Sequence, residues 1–281
     1  MPSKTKRIAE RFFLRWLPLG ILLAFVMIPL LWTLSLSFKY SSDVVSETFT
    51  ILPNPFTFSN YTNAWSSGRI SQYFFNSLVI SLCAVAVVSV LVLFNGYALS
   101  RFKFRGKQAF MVIMLMTQML PRIIIISPLY LLMRDLGLVD RFLSVILVEI
   151  ASAIPFQTLL MKGFIGGVPK EIDEAAMIDG CNPLQIFFQV VCPILKPTMI
   201  STAILETMWV WNDYLLPTLV LDIKTFSTIP MAIQYFRGSY GKVEMAPMMA
   251  CIMITVLPVI VLYLACQKYI IDGVVAGAVK G

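Results

Sequence analysis

Long apolar runs alternate with short polar segments along the chain, and the length of the runs decides its class. About 20 consecutive apolar residues make a helix that crosses the hydrocarbon core of a bilayer. On that rule the pattern predicts six spanning helices, at 17–38, 73–97, 108–133, 142–165, 198–221 and 246–269. Pro29, Pro121, Pro128, Pro155, Pro217 and Pro258 fall inside these spans. Neighbouring helices can satisfy the carbonyls a proline frees, so each span is kept whole. The expected fold class is an all-α integral membrane protein, with a single transmembrane domain over 1–281. The first run follows Lys4, Lys6, Arg7, Arg11 and Arg15, as the apolar core of a signal peptide would. It is longer than such a core and no A-x-A site follows, so it reads as a retained span.

One polar segment, 166–197, stands out by its length. It contains "KEIDEAAMIDG", Lys170 to Gly180, with four carboxylates. Its local signals describe a helix-turn-helix. Pro169 suits a first helical position, Gly180 a left-handed C-terminal cap, and Asn182 with Pro183 restarts a helix that Pro193 limits. In the second helix Leu184, Phe187, Phe188 and Val191 recur at i, i+3, i+4 and i+7, a stripe suited to lie on a membrane bundle. In the first, Ile172, Ala175, Ala176 and Asp179 share a face that two alanines keep low, flanked by Glu171 and Glu174. Another protein's backbone could approach closely there. A solvated amphipathic helix explains the same spacing, because the helix dipole favours acids in a first turn.

Charge settles the orientation. The chain has 22 Lys and Arg against 15 Asp and Glu, and where they lie matters more than the net +7. The N-terminus, 98–107, 162–197 and the C-terminus hold 14 of the cations and the three opposite loops hold 7, with Arg122 inside a span. The positive-inside rule then puts both termini in the cytoplasm. "RFKFRGK" supplies Arg101, Lys103, Arg105 and Lys107 beside a span. There it reads as an anchor facing lipid phosphates, not as a nucleic-acid site. With no histidine, and with Cys83, Cys181, Cys192, Cys251 and Cys266 scattered without a C-x-x-C pair, neither a metal site nor a disulfide framework is indicated. Catalysis by the chain itself is not expected.

Polar groups inside the spans need a reason, since a charge there costs several kcal/mol unless it is paired or hydrated. Around the fifth span Asp213 falls about 20° from Glu206, Trp209 about 60° and Asn212 about 120° on the same side. Carboxylates accept hydrogen bonds from hydroxyls and an indole packs on apolar C–H faces, so this face suits a sugar. Pairing with other helices, or an interfacial anchor at Trp209 and Trp211, is the competing account. Arg122 either pairs, with Glu149 and Asp213 the nearest candidates by depth, or snorkels to the outer surface.

The loop "EAAMIDG", followed after nine residues by "VVCP", resembles the EAA loop of binding-protein-dependent ABC importer permeases, E-A-A-x3-G-x9-I-x-L-P. Glu174, Ala175, Ala176, Gly180 and Pro193 match, while Val190 and Cys192 stand for the Ile and Leu. "NYTNAW" at 60–65, "GYALSRFKFRGK" at 96–107, "PLYLLMRDLGLVD" at 128–140, "WNDYLLP" at 211–217 and "GAVKG" at 277–281 extend the resemblance to the carbohydrate branch. Within it, the chain looks like the shorter permease of maltose-type importers.

The resemblance implies a bacterial cytoplasmic-membrane subunit that forms half of a sugar or oligosaccharide pathway with a second, dissimilar permease. It also implies two copies of a cytosolic ATPase, which hold ATP and Mg while this chain binds no cofactor. An external solute-binding protein would deliver sugar to outer loops that include 39–72 and 222–245. The acidic helix, with Glu171, Glu174, Ala175, Ala176, Asp179 and Gly180, would then be the coupling helix. No G-x-x-x-x-G-K-[ST] occurs, since the G-K pairs at Gly106 and Gly241 lack the upstream glycine. A secondary transporter or channel using the intramembrane carboxylates is the alternative, and it has no use for an EAA helix.

Overall fold

The computed structural model describes residues 4–45, 52–67, 69–222, 226–236 and 244–278. The readings made on the side chains of Lys4, Lys6, Arg7, Arg11 and Arg15, on Gly241, on the end of "GAVKG" and on parts of the two outer loops lie outside the described residues. Every regular element among the described residues is helical. In order these are α1 (Lys4–Ser37), α2 (Ser41–Val45), α3 (Ser59–Ser67), α4 (Ile70–Arg101), α5 (Lys107–Met119), α6 (Arg122–Asp135) and α7 (Phe142–Gly166). Then follow α8 (Lys170–Ile178), α9 (Pro183–Gln185), a π-helical turn Ile186–Val191, α10 (Cys192–Asn212), α11 (Leu215–Val220), a 3-10 helix Ile229–Phe236 and α12 (Met245–Ala278). Among the described residues, five stretches are long and apolar enough to cross a membrane: Phe12–Ser37, Ile70–Arg101, Phe142–Gly166, Pro183–Asn212 and Met245–Tyr269. The pair α5 and α6 makes a sixth if counted as one bent span.

The chain forms two compact units. The first comprises 1–71 and 232–257. There Asn60 Nδ2 donates to the carbonyls of Ser37 at 2.9 Å and Lys39 at 2.7 Å, satisfying groups that the end of α1 leaves open. Phe38 stacks on Phe56 with ring centres 4.5 Å apart and meets Phe58 edge-on at 5.3 Å, which fixes the segment leaving α1.

The second unit, 72–231 with 258–281, carries the polar groups of interest. Its core sets Val88 and Val92 of α4 with Met161 and Ile165 of α7 and with Phe187 and Val191 of the π turn. The helices α4 and α7 come close at Gly96, where a Cβ would lie 2.8 Å from Met161 Cγ and 3.2 Å from the Lys162 backbone nitrogen. Gly96→Val is therefore expected to cost about 1–3 kcal/mol through overpacking. A lowered melting temperature of the purified protein in detergent would show it, and an unchanged one would mean that the helix pair yields freely.

Three readings of the sequence are corrected by the structure. The third span, expected straight over 108–133, bends by 101° between α5 and α6. Leu120, held out of the helical region by the proline that follows, takes φ −80° and ψ 119°, and Pro121 takes ψ 129°. The fifth span, expected at 198–221, runs from Pro183 to Asn212 and stops at Asp213, which has ψ 122°. Pro217 explains the stop. Its ring would clash with the carbonyl four residues earlier, that of Asp213, and it has no N–H to donate to it. The Asp213 side chain instead accepts the Leu215 N–H at 3.1 Å and opens α11.

The third correction concerns Pro193, which does not limit the second loop helix. It lies in the first turn of α10, and the chain stays helical across it. The π turn makes this possible by using i→i+5 bonds, such as Cys192 N–H to the Phe187 carbonyl. The wider turn also changes which residues face inward. Ile186, Phe187 and Val191 are buried, whereas Leu184 and Phe188 of the expected stripe are 64% and 56% exposed.

Candidate functional site

Two helix breaks and one unbroken helix bring the intramembrane charges together. Arg122 is the first residue of α6, just past the bend, and Asp213 sits at the end of α10. Glu149 projects from α7 between them. Arg122 Nη2 donates to Glu149 Oε1 at 2.9 Å and lies 3.5 Å from Asp213 Oδ2. Both carboxylates are nearly buried, while about half of the Arg122 side chain is exposed. The arginine is thus paired with both of its candidates at once.

Glu206 has a different partner. It is buried on α10 and accepts a hydrogen bond from Gln157 Nε2 of α7 at 2.6 Å. Trp209 is 54% exposed, with Phe156 of α7 beside it at a ring distance of 5.7 Å. Trp211 points inward and meets Phe74 edge-on at 5.3 Å. Arg122, Glu149, Glu206, Trp209, Asn212 and Asp213 all line one cleft of about 1060 Å³, together with apolar side chains of α6, α7 and α10. A volume of that order takes a sugar or short oligosaccharide. The cleft offers a half-open arginine, the exposed Asn212 amide and an exposed indole to a neutral hydroxylated ligand, with the buried carboxylates set behind them.

The loop helix α8 has two dissimilar sides. Glu171, Glu174, Ala175, Asp179 and Gly180 are exposed, as are Met177 and Ile178, at 54% and 87%. Ile172 and Ala176 turn into the chain's own core, so the alanine pair straddles the helix instead of forming one low outer face. Gly180 takes φ +86°, the left-handed cap that its position called for. Asn182 and Gln185 form a reciprocal capping box at 2.9 and 2.8 Å.

A family model described as the binding-protein-dependent transport system inner membrane component matches residues 92–275. The chain belongs to that family. It is thereby a multi-pass permease of the inner membrane, in keeping with its long apolar helices. This permease is similar to the trehalose transport system permease protein SugB of Mycobacterium tuberculosis, with 33% identity over 93% of this chain and 95% of that one. It is 30% identical to the diacetylchitobiose uptake system permease protein DasC of Streptomyces coelicolor over 91% of this chain and 92% of that one. Its fold is shared by a bacterial ABC transporter involved in the import of the acidic polysaccharide alginate. That match has a TM-score of 0.79 and 24% identity, and covers 96% of the permease and 99% of the other chain.

Two contacts of the permease were missed by the sequence reading. Gln157 lies 49 positions from the Glu206 it supports. Asp173, an unremarked first-turn acid, is buried against Arg101, which therefore does not face lipid phosphates. A pairing of intramembrane amides with carboxylates by depth would have found the first. Nothing local marks the second.

Proposed function

We propose that this permease forms half of the pathway for a sugar or oligosaccharide in an ATP-driven importer, with the cleft between α6, α7 and α10 as its share. The observation that carries this is the shared cleft of Arg122, Glu149, Glu206, Asp213 and an open indole. The similarity to permeases named for trehalose and diacetylchitobiose supports a carbohydrate cargo. In this reading both termini and the 166–197 loop are cytoplasmic, and 1–281 acts as one transmembrane domain. A second permease supplies the other half of the pathway and a solute-binding protein delivers the cargo. Two ATPase subunits hold ATP and Mg, so the permease itself is non-catalytic and binds no cofactor. The coupling contact is made by Glu171, Glu174, Ala175, Asp179 and Gly180, with Ile178 as an apolar end to the same surface, while Ala176 supports it from within and Pro193, exposed in the first turn of α10, carries the chain on into the membrane helix.

In the transport cycle, the half-open Arg122 and the exposed Asn212 meet cargo hydroxyls and the indole carries an apolar sugar face, while the buried carboxylates hold Arg122 and Gln157 in place. Displacement of α8 by the ATPase would shift α7 and α10 and change the side from which the cleft is reached. An ion-driven carrier is not favoured, because the family is that of binding-protein-dependent systems.

Trp209→Ala tests the reading. Loss of an aromatic platform is worth about 0.5–1.5 kcal/mol, so uptake should fall by up to roughly tenfold. The measurement is proteoliposome uptake of the sugar retained by the co-expressed binding protein, with subunit composition checked on the same preparation. Normal uptake by an intact complex would remove the indole from the pathway.

A further inference from the structure

Arg101 ends α4 and Asp173 lies in the first turn of α8. Their side chains are 6% and 10% exposed, with Nε 2.6 Å from Oδ2. The same guanidinium donates through Nη2 to the Val168 carbonyl at 3.0 Å, in the short link between α7 and α8. One cation therefore holds the end of one membrane helix, the exit of another and the start of the loop helix. Neither the second carboxylate oxygen, Asp173 Oδ1, nor Arg101 Nε has a hydrogen-bond partner among the described residues, so the Nε–Oδ2 contact is an ion pair and not an aligned hydrogen bond. A first-turn acid normally caps backbone N–H groups or faces water. This one does neither, and its fastening is the guanidinium.

Besides this pair, α8 is held inward by the apolar side chains of Ile172 and Ala176. Apolar contacts are non-directional and allow sliding, whereas a buried ion pair has one partner and one geometry. The helix α7 continues from this joint to Glu149 in the cleft.

We propose that the Arg101–Asp173 pair is the joint that makes α8 move as one body with α4 and α7, so that a push received on α8 reaches the cleft. Both residues are positioning residues, and the inference rests on the reading that α8 docks on the ATPase. Without the pair, α8 would shift on its apolar side and leave the membrane helices behind.

The test uses the whole importer, with the five native cysteines replaced and cysteine placed at position 209. The probe is a water-soluble maleimide, and its labelling rate is compared between the resting state and the state trapped with ATP and vanadate. In the parent background the two rates should differ. Asp173→Asn and Arg101→Gln should each lose that difference while the ATPase still co-purifies and hydrolyses ATP. The double variant separates a joint from mere stability, because replacing both members of a buried ion pair leaves no uncompensated charge. It should recover the protein level and still lack the nucleotide-dependent difference. A double variant that regains the difference, or one absent from the membrane, would overturn the proposal in favour of a structural role. If the parent shows no difference, or if α8 variants such as Gly180→Asp retain full coupling, the failure lies in the docking reading and not in the joint.

Discussion

Arg122→Leu is expected to destabilise the permease by about 3–5 kcal/mol and to abolish most uptake, because it leaves Glu149 and Asp213 buried without their cation. The two carboxyl side chains are 4% and 8% exposed, so neither has water enough to replace the guanidinium. The damage extends beyond a local charge. Arg122 follows the bend between α5 and α6, and Asp213 ends α10, so one ion cluster joins two helix breaks to α7. Thermal unfolding in detergent and the amount of assembled complex measure the loss. Adding Glu149→Gln should return part of the stability by removing one of the stranded charges, without restoring uptake. Wild-type stability in the single variant would mean that the carboxylates do not need the arginine.

Gly180→Asp should have an equally large effect by another route. Gly180 has φ +86°, where a side chain costs about 1–2 kcal/mol, and aspartate is among the residues that tolerate that region best. Among the described residues, no atom other than those of Gly180 and its chain neighbours lies within 4 Å of where its Cβ would be. The fold therefore has room for the substitution, and its cost falls on whatever packs against α8. ATP-driven uptake should be lost, and the ATPase should no longer co-purify, at normal levels of the permease in the membrane. Gly180→Asn, neutral and equally tolerant of the left-handed region, should be milder. Full uptake and full ATPase retention in Gly180→Asp would remove this surface from the coupling contact.

The spanning helices were legible in the sequence wherever run length is the whole argument, as in Ile70–Arg101 and Phe142–Gly166. Run length is blind to where a helix breaks. Pro155 and Pro258 stay inside their helices, whereas Pro121 stands at the break between α5 and α6 and Pro217 lies four residues past the break that ends α10. What separates them is the use made of the break. At Leu120 and Asp213 the chain turns out of helix beside a charged residue that the cleft employs, so the functional groups themselves mark the breaks. The site was legible as a set of residues, and Glu149, Glu206, Trp209 and Asp213 do share a cleft with Arg122. Depth also named Glu149 and Asp213 as partners of Arg122, but the partner of Glu206 was not legible. Helical periodicity put Asp213 beside Glu206, but the break carries Asp213 to Arg122 and leaves Glu206 to Gln157. In the loop, Gly180 and Asn182 announced their caps because capping is local, whereas the inward set Ile186, Phe187 and Val191 follows a π turn that no 3.6-residue stripe describes.

The central claim is that the cleft is a water-filled path and not an interior of helix packing, and solvent accessibility at its wall tests it most directly. Single cysteines at 206, 209 and 212, on a background without the native five, are treated with a membrane-impermeant maleimide in the assembled importer. Trp209 and Asn212 are exposed on the cleft, whereas position 206 is buried between α10 and α7. Positions 209 and 212 should label in the resting or in the nucleotide-trapped state, with 206 reacting slowly or not at all. Absence of labelling at both 209 and 212 in both states, in a complex that still hydrolyses ATP, would contradict the account.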